Sequence, residues 1–314
     1  MAVVRTYGNL SLNGDNWEIS KAEPHICIKL KAIFSKISRG AVQPFKFINS
    51  PETSHDLLWF TERYPLFISE TDLKSLKRGK NKHISFINEL ESILLPDYTP
   101  QQLELKDGFL GRNYQLVGTD IYLKCKRILI GDDIGLGKTM IGMLSLLHKQ
   151  TLPSLVVVQT HLPKQWKDEI ERFTNLKIHI IKGTKPYDLP IADVYITKYS
   201  CLSGWSNFFE KQFFKSAIFD ECQELRRCES ARYEGAMALS SNVEYCCGLS
   251  ASPIYNYGDE IFNVIDCIKK GGLGNKGDFM MEWLGWNGKS VEDPNALGTY
   301  LRENFLMLRR TRKE

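Results

Sequence analysis

Over the second two-thirds of the chain, short runs of apolar residues alternate with stretches at helical spacing. The runs are 128–130, 155–158, 178–181, 194–197, 217–219 and 245–249. They are apolar at successive positions, so both faces of each strand need covering, as in a parallel sheet flanked by helices. Between them, 138–149 and 163–173 repeat apolar residues with a helical period. The alternation predicts a doubly wound α/β domain whose ligands bind at the carboxyl ends of the strands.

The first hundred residues have a different texture, rich in aromatics and short apolar runs. Residues 27–34 have helix-like spacing, 45–48 read as a strand, and 57–64 as a helix that stops before Pro65. Residues 84–95 place apolar side chains at i, i+3 and i+4, which predicts an amphipathic helix. Pro96, Asp97, Pro100 and Gly108 then interrupt the periodicity, so a boundary is expected near 96–108. The division is a small α+β domain over 1–100 and an α/β domain over 101–314. Near the other end, 271–288 is rich in Gly and Trp and reads as an irregular connector, with Trp283 and Trp286 as packing anchors. A helical stretch follows over 295–308, then Arg309-Arg310-Thr311-Arg312-Lys313-Glu314.

Composition narrows the possibilities only a little. Apolar residues at 43% and charged residues at 25% are enough for a sizeable core. A net charge of +4 permits nucleic-acid binding without arguing for it, so that case rests on motifs. The eight cysteines form no C-x-x-C pair and have no histidine cluster beside them, which argues against a zinc site. They read as small buried hydrophobes in a reducing compartment. Residues 1–12 lack an apolar signal core and no run is long enough to span a membrane, so an intracellular protein is expected.

The strongest chemical signal is Gly131-Asp132-Asp133-Ile134-Gly135-Leu136-Gly137-Lys138-Thr139, between a strand and a helix. That context is what a phosphate-binding loop requires. Gly135 and Gly137 let backbone approach phosphate closely. Successive N–H groups and the helix N-terminus face the anion. Lys138 is placed to neutralise β- and γ-phosphates, and the Thr139 hydroxyl to ligate Mg2+. Asp132 departs from the generic pattern, which has glycine there. Asp220-Glu221-Cys222-Gln223 follows the run 217–219 and puts two carboxylates at the end of a strand. Asp220 is the candidate metal ligand, and Glu221 the group that orients or deprotonates an attacking water. Ser250-Ala251-Ser252-Pro253 follows the run 245–249; its hydroxyls either reach the γ-phosphate region or the Asp-Glu carboxylates, or belong to a plain turn.

Together these residues resemble Swi/Snf-type ATPases of helicase superfamily two. The segment 132–139 (DDIGLGKT) is similar to that family's "DEMGLGKT". Asn113-Tyr114-Gln115 with Gly118 resembles its upstream adenine-sensing segment. Residues 155–166 (LVVVQTHLPKQW) and 194–202 (VYITKYSCL) resemble motifs Ia and Ib. Asp220 to Gln223 stands in the place of DEAH, 249–256 (LSASPIYN) in that of "LTGTPIQN", and 305–312 (FLMLRRTR) in that of "FMLRRTK". The resemblance runs from about Gly111 to Arg312, with the motifs in order.

The resemblance implies a RecA-like P-loop lobe with a mostly parallel central sheet, using ATP and Mg2+ to move on double-stranded DNA. It implies that Gln115 reads adenine and that Gln223, Ser250 and Ser252 couple nucleotide to DNA. Thr160, Lys164, Thr197, Lys198 and Tyr199 lie in the motifs that touch nucleic-acid backbone. Cys222-Gln223 replaces Ala-His, so Gln223 makes the interaction of that His or it is lost. A second lobe, which supplies an arginine finger worth roughly 10³–10⁵ in turnover, is not in these 314 residues, so a weak or inactive lobe is expected. The alternatives are a naturally short protein that occupies DNA or a partner, and the motor subunit of a restriction or defence system. A bacterial or phage origin and a cytoplasmic, nucleoid-associated location fit the resemblance.

Two other features have two readings each. Lys74 to His83 (KSLKRGKNKH) is either a track for phosphates or a solvated loop between helices. Trp59, Phe60 and Tyr64 form a base-stacking platform or, as their helical spacing favours, part of the core. Trp166 reads as a packing residue. His55 and His161 have no spacing partner for a metal. The amino-terminal domain is a candidate for nucleic-acid or protein-partner binding.

Overall fold

In the computed structural model, which describes residues 5–34, 37–38, 40–254, 257–285 and 288–312, the chain divides at Leu95 and Pro96 into two units. The first begins with a hairpin. β1 (Asn9–Asn13) and β2 (Asn16–Ser20) pair antiparallel around Gly14, and β3 (Phe45–Ile48) joins β2 on its other edge. Leu10 opposes Ile19, Ile19 opposes Phe45 and Trp17 opposes both Phe47 and the half-buried Leu12, so one face of the pleat is apolar and largely buried. The Trp17 indole N–H donates to Asn49 Oδ1 at 3.0 Å, which lets its polar edge be buried without penalty.

Three helices cover that face. α1 (Pro24–Ile33) supplies Ile26 and Leu30, and α2 (Pro51–Arg63) supplies Leu57 and Phe60. α2 starts where Ser50 accepts from the Thr53 N–H and Pro51 takes the first helical position. α3 (Glu70–Ile93) is capped by Ser69 and buries Leu76 in the same core. The basic run 74–83 therefore lies within a helix, which corrects the loop reading. Of the aromatic trio, Phe60 is fully buried and Tyr64 half-buried, whereas Trp59 is 45% exposed and is not core.

The second unit opens with α4 (Asn113–Cys125), followed by β4 (Arg127–Ile130), α5 (Lys138–Ser145), β5 (Ser154–Val158) and α6 (Pro163–Phe173). β6 (Ile178–Ile180), β7 (Val194–Lys198), α7 (Ser206–Phe209), β8 (Ser216–Asp220), α8 (Ala231–Ser241) and β9 (Tyr245–Leu249) follow. The remainder is α9 (Asp259–Ile268), α10 (Lys276–Trp283), α11 (Pro294–Glu303) and β10 (Met307–Leu308). The strands form one parallel sheet in the order β10-β4-β9-β8-β5-β7-β6. Every residue of β5 and β9 is buried, as their unbroken apolar pattern requires. At the amino end of β4, Arg127 donates to Ser240 Oγ and to the carbonyls of Ser240, Val243 and Ile268. These bonds tie the strand to the ends of α8 and α9.

Two expectations for the last fifty residues are corrected. The Gly- and Trp-rich stretch contains a helix, α10, because Asn275 caps it by accepting from the Asp278 N–H. The last helix ends at Glu303; Phe305 takes a left-handed backbone conformation (φ 48°), and Met307–Leu308 becomes a strand beside β4. Trp283 meets Tyr300, while Trp286 lies outside the described residues. Five of the eight free cysteines are buried, and Cys228 is exposed. No helix among the described residues is long and apolar enough to cross a membrane.

Candidate functional site

The register of three neighbouring strands brings the predicted groups together. Ile130 at the end of β4 and Asp220 at the end of β8 both align with Leu249 of β9 between them. With strands about 4.8 Å apart, the phosphate loop, Ser250 and the Asp220-Glu221 pair leave the sheet along one edge within about 10 Å. A parallel sheet sends all three turns to the same rim.

The loop 131–137 is shaped by its glycines. Gly135 and Gly137 have φ of 85° and 74°, where a side chain would be strained. A Cβ on Gly137 would also lie 2.5 Å from Gln115 Nε2. Lys138 opens α5, and its ammonium donates to the carbonyls of Asp132 at 2.8 Å and Asp133 at 3.4 Å. Anionic phosphates are stronger partners for that ammonium than these carbonyls. Thr139 is half-buried in the same first turn.

On the acidic side, Asp220 Oδ2 accepts from the indole N–H of Trp166 at 2.7 Å. Trp166 is buried, so this bond fixes one carboxylate oxygen in a shielded setting. Burial raises the Asp220 pKa above its ordinary value of 3.8. The Trp166 bond opposes that rise, the Glu221 charge adds to it and the Lys138 charge opposes it. Trp166 thus does more than pack. Its helical position one turn after Pro163 gives no sign of an acid partner, which comes from β8, four elements later.

Glu221 has a left-handed backbone (φ 50°, ψ 53°), a costly state for a residue with a side chain and one that gathers at functional sites. Gln223 Nε2 donates to Glu221 Oε2 at 2.7 Å, and Ser250 Oγ donates to Gln223 Oε1 at 2.7 Å. The Ser252 N–H in turn donates to Ser250 Oγ at 3.1 Å. Gln223 therefore bridges the acidic turn and the 250–252 turn with both ends of its amide. Tyr255 and Asn256 of the same motif lie outside the described residues.

α4 lies behind the loop. Gln115 is buried; its Oε1 accepts from the Arg112 N–H at 3.0 Å and its Nε2 donates to the Leu136 carbonyl at 3.2 Å. The Tyr114 hydroxyl donates to the same carbonyl at 2.8 Å. Gln115 touches the loop through an amide engaged at both ends by the chain, so an adenine edge, which the resemblance assigns to it, has to displace one of these bonds. The segment after β10 crosses the loop. Arg310 pairs with Asp132, Arg309 with Asp133 at 3.6 Å, and Arg312 donates to the Ile134 carbonyl. The sequence reading placed none of these arginines at the site.

The five residues expected to touch nucleic acid divide by exposure. Thr160 and Lys164 are exposed and Lys198 is half-buried, all near the carboxyl ends of β5 and β7. Thr197 and Tyr199 are 2% and 3% exposed. The Tyr199 hydroxyl donates to the Asp220 carbonyl at 2.7 Å, so it braces the acidic turn and presents no surface to a polymer. Thr197 Oγ1 finds no hydrogen-bond partner among the described residues.

Mg2+ takes one or two carboxylates together with waters and substrate phosphates, and seldom a cage built wholly of protein. The donors here fit that demand. No group of three His, Cys, Asp or Glu residues suited to a metal occurs among the described residues, while Thr139 and Asp220 stand at one rim.

Comparison with known proteins agrees with this fold. The model of the SNF2-related domain matches residues 57–314. The chain belongs to the SNF2-related domain family. ATP-dependent helicase fft1 of Schizosaccharomyces pombe is 30% identical over 227 residues, 65% of this chain and 24% of the relative. An uncharacterized ATP-dependent helicase of Mycoplasma pneumoniae is 25% identical over 197 residues, covering 59% of this chain and 18% of its own. Among solved structures, the Sulfolobus solfataricus SWI2/SNF2 ATPase core in complex with dsDNA aligns with a TM-score of 0.55 at 23% identity. That match covers 65% of this chain and 45% of the other, and it shows a common fold, a RecA-like sheet with flanking helices. The SNF2-related chain described here spans a quarter or less of the two curated relatives and under half of the solved core.

Proposed function

We propose that this SNF2-related chain is the first, ATP-binding lobe of a motor that couples ATP hydrolysis to movement on double-stranded DNA inside the cell. The observation that carries this reading is the common rim of the sheet, where Lys138, Thr139, Asp220, Glu221 and Ser250 leave adjacent parallel strands. Lys138 and the loop amides hold the phosphates, and Thr139 and Asp220 hold Mg2+, which supplies charge neutralisation of the phosphates when bound. Glu221, oriented by Gln223, takes a proton from the attacking water. The Gln223–Ser250 link joins that turn to the one carrying Ser252, a route by which nucleotide state reaches the DNA side. The exposed Thr160 and Lys164 and the half-buried Lys198 supply the contacts to the DNA backbone. The Sulfolobus core of the same fold was solved in complex with dsDNA, which favours a duplex substrate.

A second RecA-like lobe completes the ATP cleft in this reading, so the 314 residues alone bind nucleotide and turn it over slowly. The test is ATP turnover by the full-length protein with double-stranded DNA, single-stranded DNA and RNA compared. Duplex-stimulated turnover that Lys138→Ala and Glu221→Gln abolish is the expected result. Equal turnover with and without nucleic acid would remove the motor reading.

A further inference from the structure

Asp132 occupies a phosphate-loop position where the generic pattern has glycine, and it is fully buried. An unpaired buried carboxylate is costly enough that it is rarely found. Here its partner comes from the far end of the unit. Oδ1 accepts from the Arg310 backbone N–H at 3.0 Å and from Arg310 Nε at 3.1 Å, and Oδ2 from an Arg310 Nη at 2.5 Å. The other Nη donates to the Tyr114 carbonyl, and the guanidinium lies over the Tyr114 ring, 5.2 Å from its centre. One side chain therefore joins the loop, α4 and the segment after β10.

The chain has cleared space for this arrangement. A Cβ on Gly118 of α4 would fall 2.9 Å from an Arg310 Nη. That gives a physical role to the glycine three residues after Gln115. The backbones are paired as well: the Gly131 N–H donates to the Leu308 carbonyl at 2.7 Å and the Asp133 N–H to the Arg310 carbonyl at 3.0 Å.

Asp132 also accepts from Lys138 through its own carbonyl. The residue whose carboxylate Arg310 holds is thus the residue whose peptide sets the lysine ammonium. Arg312 fixes the Ile134 carbonyl two residues on. With the Ile134 carbonyl held by Arg312 and the Leu136 carbonyl by Tyr114 and Gln115, the loop peptides are fixed, and successive loop N–H groups are what binds phosphate.

We propose that Arg310 is a positioning residue of the nucleotide site, acting through Asp132 to fix the loop that presents Lys138 and the amides of 135–139 to phosphate. The proposal rests on the nucleotide reading above and adds residues 306–312 to the site. By linkage, a nucleotide that favours the ordered loop also strengthens its grip on that segment.

Two measurements on the 314-residue chain test it. Amide hydrogen exchange follows residues 131–139 without nucleotide, and a fluorescent ADP analogue with Mg2+ reports affinity. The variants are Asp132→Asn, Arg310→Gln, Arg310→Lys, the double Asp132→Asn/Arg310→Gln, and Gly118→Ala, which displaces the guanidinium while leaving both partners in place. Asp132→Asn, Arg310→Gln and Gly118→Ala are expected to exchange faster at 131–139, with β5 unchanged, and to bind the analogue at least about tenfold more weakly, the loss of one charge-assisted contact. Arg310→Lys recovers only part of this, because one ammonium does not span both carboxylate oxygens. The double variant is no worse than the weaker single, as for two halves of one interaction.

Wild-type exchange at 131–139 in Arg310→Gln or Gly118→Ala overturns the proposal, as does wild-type behaviour of Arg310→Lys in both measurements should the Gln variant unfold. Affinity within threefold of wild type in a folded Arg310→Gln overturns it too. If the wild-type chain binds no analogue, the nucleotide reading fails, and exchange alone decides whether Arg310 orders the loop.

Discussion

Asp220 is held by Trp166, and its surroundings make opposite demands on that carboxylate. Burial and the neighbouring Glu221 favour its neutral form, while the indole N–H and the Lys138 charge favour the ionised form that a metal needs. Removing the indole donor by Trp166→Phe keeps most of the bulk and deletes one bond to a charged group, worth about 1.5–3 kcal/mol. The expected result is a fall of roughly 10–100-fold in nucleic-acid-stimulated turnover of the full-length protein, with a cooperative melt retained. Stability should respond to pH at the same residue. Because the folded pKa is raised, the contribution of Asp220 is fully present below about its ordinary value of 3.8 and is lost as pH rises through the folded value. Asp220→Asn should therefore melt at or above wild type at pH 7, with the gap closing as the pH is taken down towards 4. Thermal melts across that range check it, and a variant less stable than wild type at pH 7 would show that the carboxylate gains more from its partners than burial costs.

At the scale of elements, what could be read from the chain was what its own periodicity encodes. The strands β4 to β9 were legible because apolar residues run through them, even in the half-buried edge strand β6, and α6 because one apolar stripe faces a polar one. α8 was not, because its buried face is partly built of Gly235, Ala236 and Ser240, with Gly235 packed against Leu202, which leaves little apolar stripe to read. The hairpin of β1 and β2 is short, and its strands have just one buried face. β10 reads as helix from sequence because its residues are helix-compatible, whereas the left-handed Phe305 and the pairing with β4 decide otherwise. The site divides in the same way. Lys138, Asp220 and Ser250 were legible as turns after strands, but the partners Trp166, Arg310 and Tyr199 depend on contacts between distant segments. The start of α8 offers a test of local against tertiary support. Ser230 accepts from the Tyr233 N–H at 3.2 Å, and Ser230→Ala should cost about 1 kcal/mol. In a unit of this size that lowers the melting temperature by roughly 2–4 °C, measured by circular dichroism.

For the whole molecule, a net charge of +4 spread over 314 residues generates no strong field, so affinity for DNA has to come from where the cations stand. Two surfaces compete. One is the carboxyl edge of the sheet, with Lys164 exposed and Lys198 half-buried near the Asp220 turn. The other is α3, where Lys74, Lys77, Arg78 and Lys82 are exposed at spacings that put them on one side of the helix. Each phosphate neutralised on a duplex contributes about 0.9 to the slope of log affinity against log salt. If the sheet edge carries the DNA, Lys164→Ala and Lys198→Ala should each lower the slope for the full-length protein by about that amount, with little dependence on sequence. Replacing all four α3 cations by glutamine should leave the slope unchanged, because a basic helix face is ordinarily a solvated surface. A drop of several units on changing α3, with none on changing Lys164 or Lys198, would move the DNA track to the amino-terminal unit and would separate the residues that hold DNA from those that hold phosphate.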